Sequence, residues 1–208
     1  QRFAAKGLFN FGMFSSDPAS LTGNEFSTAL GFGFKVGYQG KLLDDLSFGA
    51  AFQSKIYMSE FERYAGLFAQ TGDFDVPANW QAGLAFTPGD WKFLVDVKQI
   101  MYSDVKSLNN PMLPNLMMSA LGTEDGAGFG WKNILIMKFG LMYSGFCGWD
   151  LMAGYSFGQN PIDEKNVMFN ILAPAVIENH VTFGISKDIA KNHEITVAVM
   201  YAFENSII

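Results

Sequence analysis

Leu30-Gly31-Phe32-Gly33-Phe34-Lys35-Val36-Gly37-Tyr38-Gln39 alternates large apolar side chains with small or polar ones. Side chains of an extended chain point alternately to opposite faces, so Phe32, Phe34, Val36 and Tyr38 share one face and Gly33, Lys35, Gly37 and Gln39 the other. The same period of two recurs along the chain. Leu46, Phe48, Ala50 and Phe52 oppose Ser47, Gly49, Ala51 and Gln53; Trp80, Ala82, Leu84 and Phe86 oppose Gln81, Gly83 and Ala85. Trp91, Phe93, Val95 and Val97 oppose Lys92, Asp96 and Lys98, with Leu94 out of place. Trp131, Leu135, Met137, Phe139 and Leu141 against Lys132, Ile134, Ile136 and Lys138 is a noisier case. The last three runs are Trp149 to Phe157, Val181 to Ile185 and Ile195 to Phe203, making eight predicted strands.

Composition narrows what such strands can build. Of 208 residues, 49% are hydrophobic, 15% aromatic and 16% charged, where a soluble domain carries about 25% charge. Twenty-one Phe and eleven Met exclude intrinsic disorder. A net charge of −6 with only Arg2 and Arg63 as arginines excludes a nucleic-acid footprint. Every apolar run is interrupted before the roughly eighteen residues that a membrane-crossing helix needs. The single Cys147, in Gly145-Phe146-Cys147-Gly148, reads as a turn residue.

An alternating sheet this apolar is either a soluble barrel with its large side chains inside or a transmembrane barrel with them outside. The second fits better. The polar face is rich in glycine and keeps full charges, the strands have the roughly nine to eleven residues of a tilted crossing, and Trp80, Trp91, Trp131, Trp149, Tyr38, Tyr143 and Tyr201 fall near strand ends, as interface girdles do. Short turns at 41–45, 87–90, 144–148 and 188–192 alternate with long loops at 57–79, 103–130 and 159–179. Short periplasmic turns and long external loops are the outer-membrane pattern. The expected fold is therefore all-β, an antiparallel transmembrane barrel of the outer-membrane type, with residues 1–208 forming one partial barrel domain. The first strand would descend from outside and the eighth return there, an arrangement expected of a chain truncated at both ends.

Gly128-Phe129-Gly130-Trp131-Lys132-Asn133, the stretch from Asn170 to Gly184, and Ala153-Gly154-Tyr155-Ser156 before Pro161-Ile162 resemble the FadL/TodX family of outer-membrane long-chain fatty acid and hydrocarbon transporters. Tyr102-Ser103-Asp104-Val105 and the loop from Tyr57 to Asp75 fit the same family, in the same order. The resemblance implies a complete barrel of about fourteen strands, within the range of such proteins. It further implies a plug and a lateral opening in parts of the protein outside this sequence, passive transport of a long-chain fatty acid or other small hydrophobic molecule, and a monomeric barrel in contact with outer-membrane lipid and lipopolysaccharide. The alternative is a structural or adhesive barrel without cargo; a lipocalin-like soluble carrier is a third.

No enzyme motif and no cofactor motif is recognisable. Gly126 to Gly130 is followed by a strand, not by the helix of a phosphate-binding loop, and His180 and His193 are too few for a metal site. Asp96 and Lys98, two apart, read as a neutralising pair in the lumen. Asp73, Asp75, Glu124 and Asp125 read as solvated loop charge, with cation bridging to lipopolysaccharide as the other option. The apolar loop residues are the candidate ligand contacts. Phe61, Tyr64, Leu67 and Phe68, and Met112, Leu113, Leu116, Met117 and Met118, have helical spacing, and they either pack loop on loop or receive a hydrophobic ligand. Methionine suits varied apolar ligands, and the resemblance implies an external capture groove. Lys132 is the candidate carboxylate anchor, expected in the lumen below the rim. A lysine paired there with a wall or loop acid such as Asp96 is the alternative.

Overall fold

The computed structural model describes residues 1–171 and 173–207; Leu172, inside the 170–184 stretch quoted above, lies outside the described residues. Eight strands form one antiparallel meander, each paired with its neighbours in sequence. They are β1 (Lys35–Leu43), β2 (Leu46–Gln53), β3 (Asn79–Phe86), β4 (Trp91–Ile100), β5 (Ile134–Phe146), β6 (Trp149–Gly158), β7 (Asn179–Ala190) and β8 (His193–Ala202). The sheet is open, with β1 and β8 at its edges.

Register settles which face each residue occupies. Leu84 pairs with Val95, Val95 with Phe139, Phe139 with Tyr155, Tyr155 with Val181 and Val181 with Tyr201, an unbroken apolar row. On the opposite face Gly83 pairs with Asp96, Asp96 with Lys138, Lys138 with Ser156 and Ser156 with His180. A slip of one residue at any pairing would turn a whole strand inside out. None occurs among the centres of these strands, so the alternation continues across the sheet. The apolar row is not a core: Leu84, Val95, Phe139, Tyr155 and Tyr201 are all exposed. So broad an apolar face is incompatible with water and matches lipid contact.

All four tight connections lie at one end. Asp44-Asp45, Cys147-Gly148 and Lys191-Asn192 are two-residue turns, and Thr87 to Asp90 is a four-residue turn closed by Trp91 N–H donating to Pro88 O at 3.2 Å and tied to the first turn by Thr87 N–H donating to Asp45 O at 2.7 Å. Cys147 and Gly148 both have positive φ, 52° and 74°, the backbone of a hairpin turn whose twist suits the flanking strands. Trp91 stacks close to Tyr143 at this end, ring centroids 4.5 Å apart, as an interfacial girdle requires. The long loops 54–78, 101–133 and 159–178, together with residues 1–34, gather at the other end.

Three readings are corrected. The first strand begins at Lys35, not Leu30. Its extension, Gly31–Phe32, pairs with Tyr57–Met58 one residue out of register with the Lys35–Gln53 pairing, so Phe34 sits at an irregularity, and Tyr38 is mid-strand rather than terminal. Trp131 lies outside any strand, because β5 starts at Ile134. Asp96 makes no ion pair with Lys98 among the described residues. Its carboxylate lies over Gly83, where any Cβ would collide with it.

The face assignment predicts an asymmetry. Val95→Lys, mid-strand on the lipid face, should cost about 2 to 4 kcal/mol, whereas Ala85→Ser on the other face should cost well under 1 kcal/mol. Urea unfolding of the complete protein from lipid vesicles measures both; equal losses would refute the assignment.

Candidate functional site

The hydrophobic core of this chain is in its loops. Two buried clusters close the loop end. In one, Leu21, Leu116, Leu121 and Ala127 pack with Phe11, Phe14, Leu67 and Phe169. In the other, Ala29, Phe61, Tyr64 and Phe68 pack with Phe3, Met58, Phe74 and Phe129. Tyr64 is 0% and Phe61 2% exposed, and the Tyr64 hydroxyl donates to Asn24 O at 2.9 Å while accepting from Ala5 N–H at 3.0 Å. Loop closure over long sequence separations is entropically expensive, and these aromatic contacts offset it.

The expected ligand contacts divide in two. Phe61, Tyr64, Phe68, Met112 and Leu116 are buried in the cap, whereas Leu113, Met117 and Met118 are exposed, at 45%, 73% and 78%. A single helical turn at Asn115–Met118 explains the split: it points Leu116 inward and leaves Met117 and Met118 to solvent. Beside it runs the 9–14 segment, joined to it where Leu121 N–H donates to Phe14 O at 2.7 Å. That segment presents exposed Phe9 and Met13 and was given no role from sequence. Its aromatic and methionine spacing around Gly12 was the available signal, but its position beside the methionine loop depends on a contact more than a hundred residues away.

Lys132 is not on a strand but in the loop ahead of β5. Its side chain is 69% exposed and pairs with Asp163 at 3.0 Å, while its N–H donates to Pro161 O. The hydrogen bond from Lys132 holds the Asp163 carboxyl below its usual range. The displacement has a local cause. Gly130 has φ +68° and the side chain of Asn166 occupies the space a Cβ would need, so the chain turns there and the alternation starts only at Ile134. Trp131 then donates from Nε1 to Asn170 Oδ1 at 2.5 Å, and Asn170 Nδ2 donates to the carbonyls of Phe129 and Asn166. Asn166 accepts from Met112 N–H at 2.7 Å. Asn166 and Asn170, one turn apart and both buried, thus fasten the 159–178 loop to the methionine loop.

The acidic residues also divide. Glu124 and Asp125 are exposed and flank Lys106 at 2.7 and 3.9 Å. Asp75 is not solvated but buried, and it pairs with Lys55 at 2.7 Å. Among the described residues no group of His, Cys, Asp and Glu could hold a metal ion. On the polar face of β1 to β4, Gly37, Gly49, Gly83, Gln39, Gln81 and Asp96 line a hollow of about 490 Å³.

Solved structures share the fold. The P. putida toluene transporter TodX aligns with a TM-score of 0.56 and 22% identity, over 84% of this chain and 43% of its own. A monoaromatic hydrocarbon channel, CymD, aligns at 0.56 and 16% identity, over 86% of this chain and 47% of its own. A Pseudomonas aeruginosa FadL homologue gives 0.54 and 15%, over 86% and 44%. The fold is that of an outer-membrane β-barrel. The chain spans less than half the length of each of these proteins. No protein-family model and no curated protein matches the sequence.

Asn170→Ala would leave the half-buried Trp131 Nε1 and two carbonyls without this partner, which costs up to about 1 to 3 kcal/mol per group left unsatisfied. Limited proteolysis should show faster cleavage in 159–178, with heat-resistant barrel mobility on gels unchanged. Loss of the barrel itself would show that the fastening supports the wall and not the cap.

Proposed function

We propose that the chain is part of a FadL/TodX-type outer-membrane transporter that passes long-chain fatty acids or related hydrophobic compounds by passive binding and transfer. The observation that carries this reading is an apolar crown on a self-packed base. Leu113, Met117, Met118, Phe9 and Met13 stand exposed on loops whose own hydrophobic core is already filled. Packing within these loops accounts for Phe61, Tyr64, Phe68, Met112 and Leu116, and leaves Leu113, Met117, Met118, Phe9 and Met13 uncovered. Flexible thioethers suit an apolar ligand of variable shape. The fold of the toluene transporter and the hydrocarbon channel supports the same class of cargo. In this reading the loop end faces the outside, the apolar face of the sheet meets outer-membrane lipid, lipopolysaccharide surrounds the rim, and further strands pair with β1 and β8, since open edges cannot persist in hydrocarbon. The complete barrel acts as a monomer and transfer needs no bond chemistry.

Lys132 serves as the headgroup anchor in exchange with Asp163: a fatty acid carboxylate takes the place of the Asp163 carboxylate on the same ammonium. A charge-assisted hydrogen bond of this kind is worth about 1.5 to 3 kcal/mol.

Three variants of the complete protein separate the parts. Met117→Asp with Met118→Asp should weaken uptake of labelled fatty acid at limiting concentration while leaving assembly intact, because it removes apolar binding surface. Unchanged uptake would favour a structural barrel without cargo. Lys132→Met should weaken fatty acid binding about tenfold, and Asp163→Asn, which frees the lysine, should tighten it; an uncharged hydrocarbon should respond to neither. If both ligands lose affinity alike with Lys132→Met, the lysine supports only the loop.

A further inference from the structure

Asp73 and Asp75 lie side by side where two loops meet at the barrel rim, each on one side of Phe74. Asp75 is buried and fully engaged. It accepts from Met58 N–H at 2.6 Å and pairs with Lys55 at 2.7 Å, and Lys55 also donates to Asp104 O at 3.0 Å. Ile56 and Val76 form a bridge beside it through backbone hydrogen bonds of 2.9 and 3.1 Å. Asp73 is half-buried, with its carboxyl in hydrogen-bonding reach of Asp75. Its main-chain carbonyl accepts from Ser107 Oγ at 2.5 Å, a tie from the 54–78 loop to the 101–133 loop. Between the two acids, Phe74 projects into the aromatic core, 4.8 Å from Phe68 of its own loop and 6.5 Å from Phe129 of the other. Phe129 in turn lies 5.6 Å from Trp131. The acid pair therefore sits at the point where one loop holds the other.

Two neighbouring carboxyls facing a single ammonium cannot both be charged at low cost. Lys55 is committed to Asp75. The other ionisable group near Asp73 is Glu60, also an acid, and the 126–131 stretch across the junction contains none. Lys106, on the facing loop, is taken by Glu124 and Asp125. With a proton, Asp73 donates to Asp75 and the pair carries one charge balanced by Lys55. Without it, Asp73 is a half-buried anion that forms no ion pair among the described residues, and water is the better solvent for it.

We propose that the Asp73–Asp75 pair is a pH-sensitive clasp between the 54–78 and 101–133 loops, closed while the two carboxyls share a proton and loosened once both are ionised. The electrostatics point the same way: burial first, then the charge and hydrogen bond of Asp75, raise Asp73 to about 6, against a smaller lowering by Lys55. A carboxyl raised in the closed state binds its proton more tightly there than in the open one. Closure is therefore favoured in acid, and weakens as pH rises from the ordinary Asp range to about 6, above which it changes no further. The clasp does not depend on the transport reading, since it concerns loops that pack on each other whatever they bind.

Hydrogen exchange of the complete protein in detergent micelles tests it, with rates normalised for the intrinsic effect of pH. Amides of 73–78 and 101–110 should lose about tenfold in protection between roughly pH 5 and 7.5, the size set by the displaced proton affinity. Amides of β7 should not change. Asp73→Asn, which keeps the hydrogen bond but cannot ionise, should make both loop segments independent of pH. A flat profile in the unsubstituted protein overturns the proposal, and that measurement needs no variant to fold. An unchanged tenfold loss in Asp73→Asn overturns it as well, by placing the titration on another group.

Discussion

A strand in hydrocarbon must satisfy every backbone hydrogen bond with another strand and turn its apolar side chains outward, and most of this molecule's architecture follows from that constraint. In a soluble sandwich, residues such as Val95, Phe139 and Tyr155 would meet an opposing sheet and form the core. Here they form an exposed row, and the wall is held by its ladder of backbone pairs. The opposite face cannot supply a core either, since it is lined by Gly83, Asp96, Lys138 and Ser156. A densely packed apolar interior is left to the loops, and there Tyr64, Phe61, Leu21 and Leu121 are almost wholly buried. The usual division of a domain into rigid core and soft loops is thereby altered: the cap carries the side-chain packing that the wall lacks.

The wall was legible in sequence because its code is local and redundant. Alternation marks each strand, and beside each two-residue turn, as at Cys147-Gly148, a one-residue register shift restores the parity that the turn alone would reverse, so seven successive pairings agree on inside and outside. Errors occurred where that parity breaks. The irregularity between Gly31–Phe32 and Lys35 moved the start of β1, and Ile134 and Ile136, apolar residues on the polar face, concealed that β5 begins after Trp131 and Lys132. The cap was legible only as a pair of alternatives. Helical spacing correctly grouped Phe61, Tyr64 and Phe68 on one side, but whether that side meets a ligand or a neighbour depends on Phe3, Ala29 and Phe129, which no local pattern connects to it. The same limit hid the role of residues 9–14.

The Gly128-Phe129-Gly130-Trp131 motif, which carried much of the family resemblance, has a mechanical reason to exist. Gly128 lies where a Cβ would strike the carbonyls of Ser107, Asn110 and Lys106, and Gly130 adopts a left-handed backbone against Asn166. Gly128 lets the 101–133 loop pack on itself and Gly130 lets it approach the 159–178 loop, which Trp131 then fastens through Asn170. Lys132 therefore lies ahead of the strand and outside its alternation. A residue expected in the lumen on grounds of alternation is thus delivered to the rim by the motif just before it, within reach of Asp163 and of solvent.

Capture of a greasy molecule by such a cap requires surface that is apolar yet does not collapse on itself. A loop end made only of mobile apolar residues would bury them against each other, and the ligand would have to compete with that packing. Filling the base first removes the competitor. With Leu116 and Met112 already committed below, the single turn at 115–118 cannot fold Met117 and Met118 into the same cluster without exposing Leu116. Their exposure is maintained by the burial of their neighbours, not by a lack of apolar partners. The side chains remain flexible while the backbone beneath them is fixed, so an apolar ligand would meet an adaptable surface whose ordering cost is largely met in folding.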